Sequence, residues 1–381
     1  MKPRRLLTIG HSYAVALNRR LADEMARVGR GTWEVAVIAP KFLPGDHWPI
    51  AFEPNPDEVC SSEAVIVRFA RRIPTMAYGL RVRDVLRGGW DLVHAWEEPY
   101  IVAGFQIGWW TPQTVPVVFW TMQNLPKTYP FPFRQMERFT VKRFAGWIAV
   151  GQTTAQTQLA RGYGNRPHRV LPLGVDTDKF RPDSAAGAAV RLRLGWTANG
   201  PPVVGYLGRF VPEKGLTVLI QALDSIASPW RALVVGGGPQ EPELRAWAAR
   251  HGDRVRVVTG VPHDRVPEYL NAMDVLAAPS QTTPTWREQF GRMLIEGFAC
   301  GCAVVGSDSG EIPHVLADAG LVVPEADVTA WAAVLGELID NPARRAELGG
   351  RGRERAVRRF AWPEIARQHL EFFEEIMDSP A

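Results

Sequence analysis

The sequence predicts an α/β protein with two doubly wound parallel sheets in tandem. Short apolar runs rich in Val, Ile and Leu alternate with longer amphipathic stretches, which is the pattern of βαβ units. The runs are continuous rather than alternating, as expected for strands buried on both faces. Two such series of similar size follow one another in 381 residues, a length that accommodates two domains.

Each series supplies six predicted strands, which are short and apolar. The first series is RLLTIG, WEVAVIAP, AVIVRF, DLVHAW, VPVVFWT and WIAV. The second series is VVGYLG, RALVVGG, VRVVTG, DVLAAPS, AVVGSD and GLVVP. Helices are predicted over 13–28, 214–227, 240–250 and 289–300, and over 342–377 with a break or helix start at Pro363.

The domain boundary is predicted near 182–200, where periodicity is lost and Asp, Pro, Ser and Gly gather. We therefore expect an N-terminal domain over 1–182 and a C-terminal domain over 183–360. The remaining residues, 361–381, are expected to form a helix that packs back toward the N-terminal domain.

Cysteine content and hydropathy indicate a cytoplasmic protein. Three cysteines, Cys60, Cys300 and Cys302, make neither a disulfide framework nor a metal motif, which favours a reducing compartment. No run reaches the roughly 18 apolar residues that a membrane helix requires. The apolar run near the N-terminus is short, and we interpret it as a buried strand rather than a signal peptide.

The segment VVGYLGRFVPEKG (203–215) combines a strand, a glycine-bearing turn and a helix start. Gly208 allows the backbone to approach a ligand, and a helix N-terminus offers free N–H groups to phosphate. Arg209 and Lys214 add two cations, which are suited to holding a diphosphate and stabilising it as it leaves. A surface turn is the alternative interpretation of this pattern.

Two further features follow in the second series. Gly237 belongs to VVGGGPQ (234–240) at the end of a strand, where ligands bind in open α/β sheets and where a flexible turn is equally expected. Glu288 and Glu296 lie eight residues apart within 279–313. A carboxylate accepts two sugar hydroxyls at once, so one glutamate is suited to a hexose and the other to a ribose. Two surface acids are the alternative.

The segment EQFGRMLIE, with the following GFACGCAVVGSDSGEIP, resembles the signature of retaining glycosyltransferases of family 4. That signature is a Glu, seven residues, a second Glu, an Ala-Cys-Gly-like turn and a short apolar strand. GRFVPEKG resembles the diphosphate-binding turn of the family, and PLGVDTDKF (172–180) resembles its domain junction. The resemblance implies the GT-B fold, in which two Rossmann-like domains face a central cleft.

The resemblance implies transfer of a sugar from a nucleoside-diphosphate sugar to an acceptor hydroxyl, with the leaving diphosphate as base. Arg209 and Lys214 would bind the diphosphate, Glu296 the ribose, and Glu288 the transferred sugar. Catalysis would depend on Glu288, Arg209, Lys214 and His11. The donor-binding set would be Gly208, Arg209, Lys214, Gly237, Val261 (backbone against the nucleobase), Glu288, Phe290, Gly291 and Glu296.

The N-terminal half departs from the family pattern. His11 and Ser12 stand where many members have a Gly-Gly loop, and Gln123 and Asn124 stand where many have His-Asp. We expect His11, Gln123 and Asn124 on the acceptor side, although a turn histidine bonded to backbone is the alternative for His11.

A strand in the N-terminal half ends in DLVHAWEEPY (91–100), which carries aromatic and acidic side chains. Glu97 and Glu98 are expected at the edge where parallel strands end. Trp96 or Trp120 would line an acceptor site if its ring face were exposed; packing in the core is the alternative.

No cofactor and no metal are expected. Asp176 and Asp178 form an Asp-x-Asp pair in the junction segment, and HDRVPEY (263–269) lacks the second histidine of a zinc site. The expected partners are a nucleotide-sugar donor and a glycan, lipid-linked or small-molecule acceptor, and no nucleic acid.

Charge differs between the halves. Residues 1–182 hold 24 Lys and Arg against 15 Asp and Glu, a net +9, and the remainder holds 20 against 25, a net −5. Arg134, Arg138, Lys142 and Arg143 recur at helical spacing, which suits peripheral contact with an anionic membrane at its inner face. An ordinary helix packed on a sheet is the alternative.

Three other functions would require different residues. A nucleotide-sugar epimerase or another GT-B enzyme remains the alternative, and a non-catalytic sugar-binding protein fits less well because binding a sugar needs no paired cations. A NAD-dependent dehydrogenase would need Gly-x-Gly-x-x-Gly after the first strand, and GHSYAV does not supply it.

Overall fold

The computed structural model describes residues 2–45, 49–197 and 200–379. The chain divides into two compact units: unit 1 comprises Met1–Pro172 and Trp362–Ala381, and unit 2 comprises Leu173–Ala361. Each unit is built around one parallel sheet. The prediction of two Rossmann-like α/β domains is therefore confirmed.

Unit 1 contains a seven-stranded sheet in the order β11-β10-β9-β8-β1-β2-β5, with every pair parallel. The chain winds outward in both directions, so the strand order reverses between β1 and β8. The elements of residues 2–172 are β1 (Arg4–Ile9), α1 (Ala16–Val28), β2 (Trp33–Pro40), β3 (Phe42–Leu43), β4 (Ile50–Ala51), β5 (Ser61–Val65), β6 (Val67–Arg68), β7 (Ala77–Tyr78), α2 (Leu80–Leu86), β8 (Leu92–Ala95), α3 (Val102–Trp110), β9 (Val117–Thr121), α4 (Phe133–Arg143), β10 (Gly146–Ala149), α5 (Gln152–Ala160) and β11 (His168–Val170).

Unit 2 contains a six-stranded parallel sheet in the order β14-β13-β12-β15-β16-β17, and its strand order reverses between β12 and β15. Its elements are α6 (Ser184–Arg193), β12 (Val203–Arg209), α7 (Leu216–Asp224), β13 (Arg231–Gly237), α8 (Glu241–His251), β14 (Val255–Thr259), α9 (Val266–Leu270), β15 (Val275–Ala278), α10 (Arg292–Ala299), β16 (Ala303–Ser307), α11 (Ile312–Leu316), β17 (Leu321–Val323), α12 (Val328–Asp340) and α13 (Pro342–Arg355).

The last helix, α14 (Trp362–Asp378), belongs to unit 1, where it packs against α1. Its apolar stripe, which includes Ile365, Phe372 and Phe373, is buried. Removing that much aliphatic and aromatic surface from water stabilises the helix by about 1.5–3 kcal/mol per fully buried side chain. The helical stretch predicted over 342–377 is thus two helices, which are separated by a π-helical turn at Ala356–Phe360 and by extended backbone at Ala361.

Two strands of the parallel sheets differ from the prediction. The run AVIVRF contributes only its first two residues to β5, because the chain leaves the sheet after Val65 and Ile66 is 73% exposed. The edge strand β11 was not predicted, because its sequence HRV contains no apolar run. An edge strand of three residues needs backbone pairing on one side only, so hydropathy carries little signal for it.

Two histidines are buried together in unit 1. The rings of His94 in β8 and His369 in α14 lie 5.9 Å apart between centroids, and His369 Nδ1 donates to the Ile365 carbonyl at 2.8 Å. Among the described residues, neither Nε2 atom has a hydrogen-bond partner. Burial lowers the pKa of His369 to about 4, and burial together with His369 lowers the pKa of His94 well below its usual value.

We expect stability to fall with acidification below pH 6.5, the ordinary histidine pKa. Below that pH the two histidines bind protons in the unfolded chain, whereas the buried imidazoles of the folded chain stay neutral. The free energy of unfolding therefore falls by up to about 1.4 kcal/mol per pH unit for each histidine. Urea denaturation measures the slope of the free energy of unfolding against pH. The measurements run from pH 7.5 to about 5, a window set by the histidine and carboxylate pKa values. His369→Leu should reduce that slope, and an unchanged slope in this variant would contradict the assignment.

Candidate functional site

The candidate site of unit 2 lies where the strand order of its sheet reverses. Parallel pairing places the carboxyl ends of β12 and β15 side by side, which is where open α/β sheets bind ligands. After Arg209, a 3₁₀ turn at Pro212–Lys214 leads into α7. Gly215 has φ of 69°, and a Cβ there would stand 1.8 Å from the Pro279 carbonyl oxygen. Only glycine lets α7 start this close to the end of β15.

Lys214 and Glu288 form a buried ion pair at this point. Their residues are 8% and 6% exposed, and Lys214 Nζ donates to Glu288 Oε2. Ser280 Oγ donates to the same oxygen at 2.9 Å, and the ring of Trp286 lies 4.8 Å from Nζ. Each buried charge therefore has a partner, which offsets the cost of taking it out of water.

The loop after β16 holds the backbone of Glu288. Glu311 N–H donates to the Glu288 carbonyl at 3.0 Å, and Ser309 Oγ accepts the Glu288 N–H at 3.4 Å. Gly310 has φ of 56°, and a Cβ there would stand 2.0 Å from the same carbonyl oxygen. The side chain of Glu288 thus projects from a backbone that is fixed on both sides.

Arg209 stands at the end of β12 and is exposed. Its carbonyl accepts from Tyr206 OH at 2.7 Å, and its guanidinium has no acidic partner within residues 2–45, 49–197 and 200–379. Arg209 is opposite Gly237 in the register of β12 and β13, and Gly208 precedes it with φ of 154°. Unlike Lys214, Arg209 is a cation without a charge partner in the described structure.

Glu296 lies in α10 and is 5% exposed. Its Oε1 is 2.9 Å from Nε2 of His263, whose side chain is 38% exposed. His263 begins the 3₁₀ turn after β14, two residues beyond Val261. Phe290 is buried, and Gly291 precedes α10 with φ of 79°. The two predicted glutamates therefore have different partners, a lysine for one and a histidine for the other.

The corresponding point of unit 1 holds His11 and Glu97. His11 N–H donates to Glu97 Oε1 at 2.7 Å, and His11 Nδ1 is 2.5 Å from Oε2. Tyr78 OH donates to Oε1 at 2.8 Å. Burial opposes protonation of His11, but the charge and hydrogen bond of Glu97 outweigh it, so the pKa of His11 is raised. The imidazole is thus oriented by an acid rather than by backbone alone.

A cavity of about 260 Å³ adjoins this histidine. Ser12 contributes to its wall, and the buried Oγ of this residue has no hydrogen-bond partner among the described residues. Arg71 is the cation of the lining, which otherwise mixes polar and apolar side chains. The lining residues are His11, Ser12, Ala14, Val15, Asn18, Leu43, Gly45, Ile50, Ala70, Arg71 and Ile73.

The other N-terminal candidates form hydrogen bonds or ring contacts within unit 1. Gln123 is 8% exposed, and its Oε1 accepts the Leu125 N–H at 3.1 Å. Asn124 is 2% exposed, and its carbonyl accepts from Thr157 Oγ1 at 3.0 Å. The rings of Trp96 and Trp120 stack 3.7 Å apart and are nearly buried, so both belong to the core of unit 1.

Sequence reasoning missed several partners of the predicted residues. Ser280 and Trp286 contact the Lys214–Glu288 pair, and His263 was considered only as a zinc ligand. Ser280 could have been identified as a site residue, because it follows a buried strand and that strand lies where the strand order reverses. No spacing rule connects Tyr78 to Glu97, which meet only through the folded sheet.

Two negative observations apply to the described ranges. Within them, no group of three or more His, Cys, Asp or Glu side chains is arranged to hold a metal ion. No helix among these residues has the length and hydropathy to cross a bilayer.

Two family models match the chain in succession. One, described as Glycosyltransferase Family 4, matches residues 15–179, and the other, described as Glycosyl transferases group 1, matches residues 196–355. Together they cover Glu97, Gln123 and Asn124 of unit 1 and the candidate residues of unit 2, whereas His11 lies before the first matched region.

Curated relatives and a solved structure agree with these matches. A D-inositol 3-phosphate glycosyltransferase of Kineococcus radiotolerans is 30% identical over 77% of this chain and 73% of its own length. A GDP-mannose-dependent alpha-(1-6)-phosphatidylinositol monomannoside mannosyltransferase of Mycolicibacterium smegmatis is 38% identical over 50% of this chain and 52% of its own. Anabaena HepE, solved with UDP and glucose, has a TM-score of 0.75 at 20% identity, covering 98% of this chain and all of its own.

The chain spans about half the length of several curated relatives that it matches. The Kineococcus relative is covered over most of its length, however, and the matched regions extend across both sheets. The chain belongs to glycosyltransferase family 4 and has the GT-B fold.

Proposed function

We propose that this protein is a retaining glycosyltransferase that moves a sugar from a nucleoside-diphosphate sugar to an acceptor hydroxyl. The observation that carries the proposal lies at the reversal of strand order in unit 2. It is the buried Lys214–Glu288 pair together with Arg209, which has no acidic partner in the part of the chain that the structure describes. Two cations and an adjoining acid suit a ligand that has both a diphosphate and a sugar. The names of relatives, one of them GDP-mannose-dependent, support such a donor.

The two cations have different tasks in this proposal. Arg209 is exposed and presents a planar fork to two phosphate oxygens. The Lys214 ammonium has three protons, so it can donate to a phosphate while it keeps its bond to Glu288. Their charges stabilise the diphosphate as the bond to the anomeric carbon breaks.

Glu288 orients the transferred sugar by accepting hydrogen bonds from its hydroxyls. Lys214 and Ser280 hold the carboxylate in place before the donor arrives, and the loop after β16 holds its backbone. The acceptor oxygen attacks the anomeric carbon on the face from which the diphosphate leaves. The departing phosphate oxygen takes the acceptor proton, and the anomeric configuration is retained.

No divalent metal is part of the proposed reaction. A metal ion in such sites neutralises the developing charge of the diphosphate, and in this proposal Arg209 and Lys214 perform that task. The Asp176–Asp178 pair lies in the loop after Val175, where Asp176 Oδ1 accepts the Asp178 N–H at 3.2 Å.

Arg209→Ala and Lys214→Ala should each reduce turnover by about 100- to 1000-fold, the usual effect of losing one preorganised donor. Arg209→Ala should leave the melting temperature unchanged, because the guanidinium is exposed and unpaired. Lys214→Ala should lower it, since Glu288 would remain buried without its cation.

The assay is run with EDTA, and a requirement for added Mg²⁺ or Mn²⁺ would refute metal independence.

The matched control is Arg245→Ala, which removes an exposed arginine that pairs with Glu241 on α8. It should retain full activity and stability. Activity of the Arg209 or Lys214 variant within about threefold of wild type, against the loss expected for a preorganised donor, would overturn the diphosphate assignment.

Glu288→Gln should lower turnover at saturating donor, while Glu296→Gln should mainly weaken nucleotide binding. Glu296 is proposed to accept the ribose hydroxyls, and a hydrogen bond to a charged group contributes about 1.5–3 kcal/mol, or at least about tenfold in affinity. Calorimetric titration with free nucleotide separates the two effects. An unchanged affinity in the Glu296 variant would remove the ribose role.

The acceptor side is proposed to lie in unit 1 and to include His11, Gln123 and Asn124, with His11 as the catalytic contact. The cavity beside His11 is large enough for a hydroxylated ring, and Arg71 in its wall favours an anionic acceptor. A glycan, a lipid-linked sugar or a small molecule meets this description, and no nucleic acid is proposed as a partner. The lipid-directed names of some relatives favour a lipid-linked acceptor.

We also infer a cytoplasmic protein that contacts the inner face of an anionic membrane. Arg134, Arg138 and Lys142 follow one face of α4 at four-residue spacing, are exposed, and have no acidic partner among the described residues. They line a groove of about 550 Å³ together with Arg161, Arg166 and Glu137, and Glu137 pairs with Arg161. Such a concentration of cations attracts phosphate-bearing headgroups.

Phe139 in α4 and Phe144, which directly follows the helix, pack within unit 1, although Phe139 remains 38% exposed. The rings of Phe139 and Phe105 lie 5.1 Å apart, and Phe144 is buried. Arg143 donates to the Pro112 carbonyl at 2.7 Å and to neighbouring carbonyls, so it is not part of the basic face. Contact with a membrane would therefore be electrostatic rather than by insertion of these aromatics.

Wild-type protein should pellet with anionic but not neutral vesicles, and less so at high salt. Replacing Arg134, Arg138 and Lys142 together by Glu should abolish pelleting, because each basic residue contributes about 1 kcal/mol near an anionic surface. Vesicle co-sedimentation at low salt measures this.

The control replaces Lys179, Arg250 and Arg359 by Glu, which changes the net charge equally at exposed sites in unit 2. This variant should still pellet. If wild type fails to pellet with anionic vesicles, or if both triple variants behave alike, the membrane proposal is wrong.

A further inference from the structure

We propose that His263 is a positioning residue, which orients the Glu296 carboxylate for the ribose of the donor. This inference rests on the ribose role of Glu296 in the proposed function. It adds a residue that the sequence motif does not contain, since His263 lies 33 positions before Glu296.

The geometry joins two separate segments of unit 2. Glu296 is on α10, and His263 is in the turn that follows β14. Because Glu296 accepts at Oε1 from Nε2 over 2.9 Å, the histidine must carry its proton on Nε2 for this bond. The turn also contains Val261, the residue proposed to meet the nucleobase, so one short segment would contact both the base and the ribose-binding acid.

Glu296 needs such a partner for two reasons. A carboxylate that is only 5% exposed pays a desolvation cost that a donated hydrogen bond offsets. A glutamate on a helix also has several accessible rotamers, and accepting two neighbouring hydroxyls requires one orientation of the carboxylate plane. A carboxylate has about four acceptor positions, so the bond to His263 leaves capacity for two ribose hydroxyls.

The imidazole is itself held in place. The rings of His263 and Phe180 lie 5.5 Å apart, and Arg265 N–H closes the turn on the Pro262 carbonyl at 2.9 Å. The His263 side chain is nevertheless 38% exposed, so it is not a core residue whose main task is to fill space. A partly exposed imidazole aimed at a buried acid is suited to orienting that acid.

A second pair in the same unit supplies the control. His251 Nε2 lies 2.9 Å from Asp224 Oδ1, the same distance and chemistry as the His263–Glu296 pair. Its residues belong to α7 and α8, and neither is in the proposed donor site. Loss of this pair reports what a merely structural histidine–carboxylate bond contributes.

The experiment measures the affinity of GDP and UDP, each beside its 2′,3′-dideoxy counterpart, by calorimetry. For whichever diphosphate binds, His263→Leu should weaken the ribonucleotide about 5- to 10-fold and the dideoxynucleotide less than about twofold. The effect should be smaller than outright loss of a hydrogen bond to a charged group, because the Glu296 carboxylate remains and loses only its orientation. His263→Gln should restore most of the affinity, because its amide nitrogen reaches the position of Nε2. His251→Leu should change neither affinity.

Equal weakening of both nucleotides by His263→Leu, no weakening at all, or no restoration by His263→Gln would overturn the positioning role. The proposed function is tested separately by Glu296→Gln. If that variant does not discriminate ribonucleotide from dideoxynucleotide, the ribose role of Glu296 fails; if it does discriminate and His263→Leu does not, only this inference fails.

Discussion

Parallel strand pairing is the constraint on which both candidate sites depend. It places the carboxyl end of every strand at one edge of its sheet, and the reversal of strand order leaves a gap in the connections at that edge. In unit 2 this point lies between β12 and β15 and holds Lys214 and Glu288; in unit 1 it lies between β1 and β8 and holds His11 and Glu97. Residues distant in sequence meet because the strands before them are hydrogen-bonded neighbours.

Each candidate acid in these sites is paired with a nitrogen base. Glu288 has Lys214, Glu97 has His11 and Glu296 has His263. The pairing follows from burial, because a carboxylate removed from water without a partner takes up a proton or destabilises the fold. The same pairing prepares the acids for ligands, since each carboxylate is oriented before any sugar or nucleotide binds. Stability and the proposed chemistry therefore depend on the same contacts.

The basic residues of the N-terminal half show what net charge and helical spacing predict, and what depends on packing. The +9 of residues 1–182 indicated an anionic partner, and the spacing of Arg134, Arg138 and Lys142 indicated one face of a helix. Arg143 belonged to the same pattern, yet its guanidinium caps backbone carbonyls near Pro112. Helical spacing predicts the face of the helix on which the Cβ atom of a side chain lies. Whether its far end meets water or a carbonyl depends on what packs beside the helix.

The sequence by itself determined the two parallel sheets, most of their strands and the motifs that carry Arg209, Lys214, Glu288 and Glu296. Hydropathy and spacing are local properties, and a doubly wound sheet expresses them directly as buried strands followed by turns. Only the tertiary structure decided that Lys214 pairs with Glu288, that His263 reaches Glu296 and that Tyr78 supports Glu97. These contacts cross between strands and loops that are tens of residues apart. Their distances are set by sheet order and packing, which no periodicity within one segment encodes.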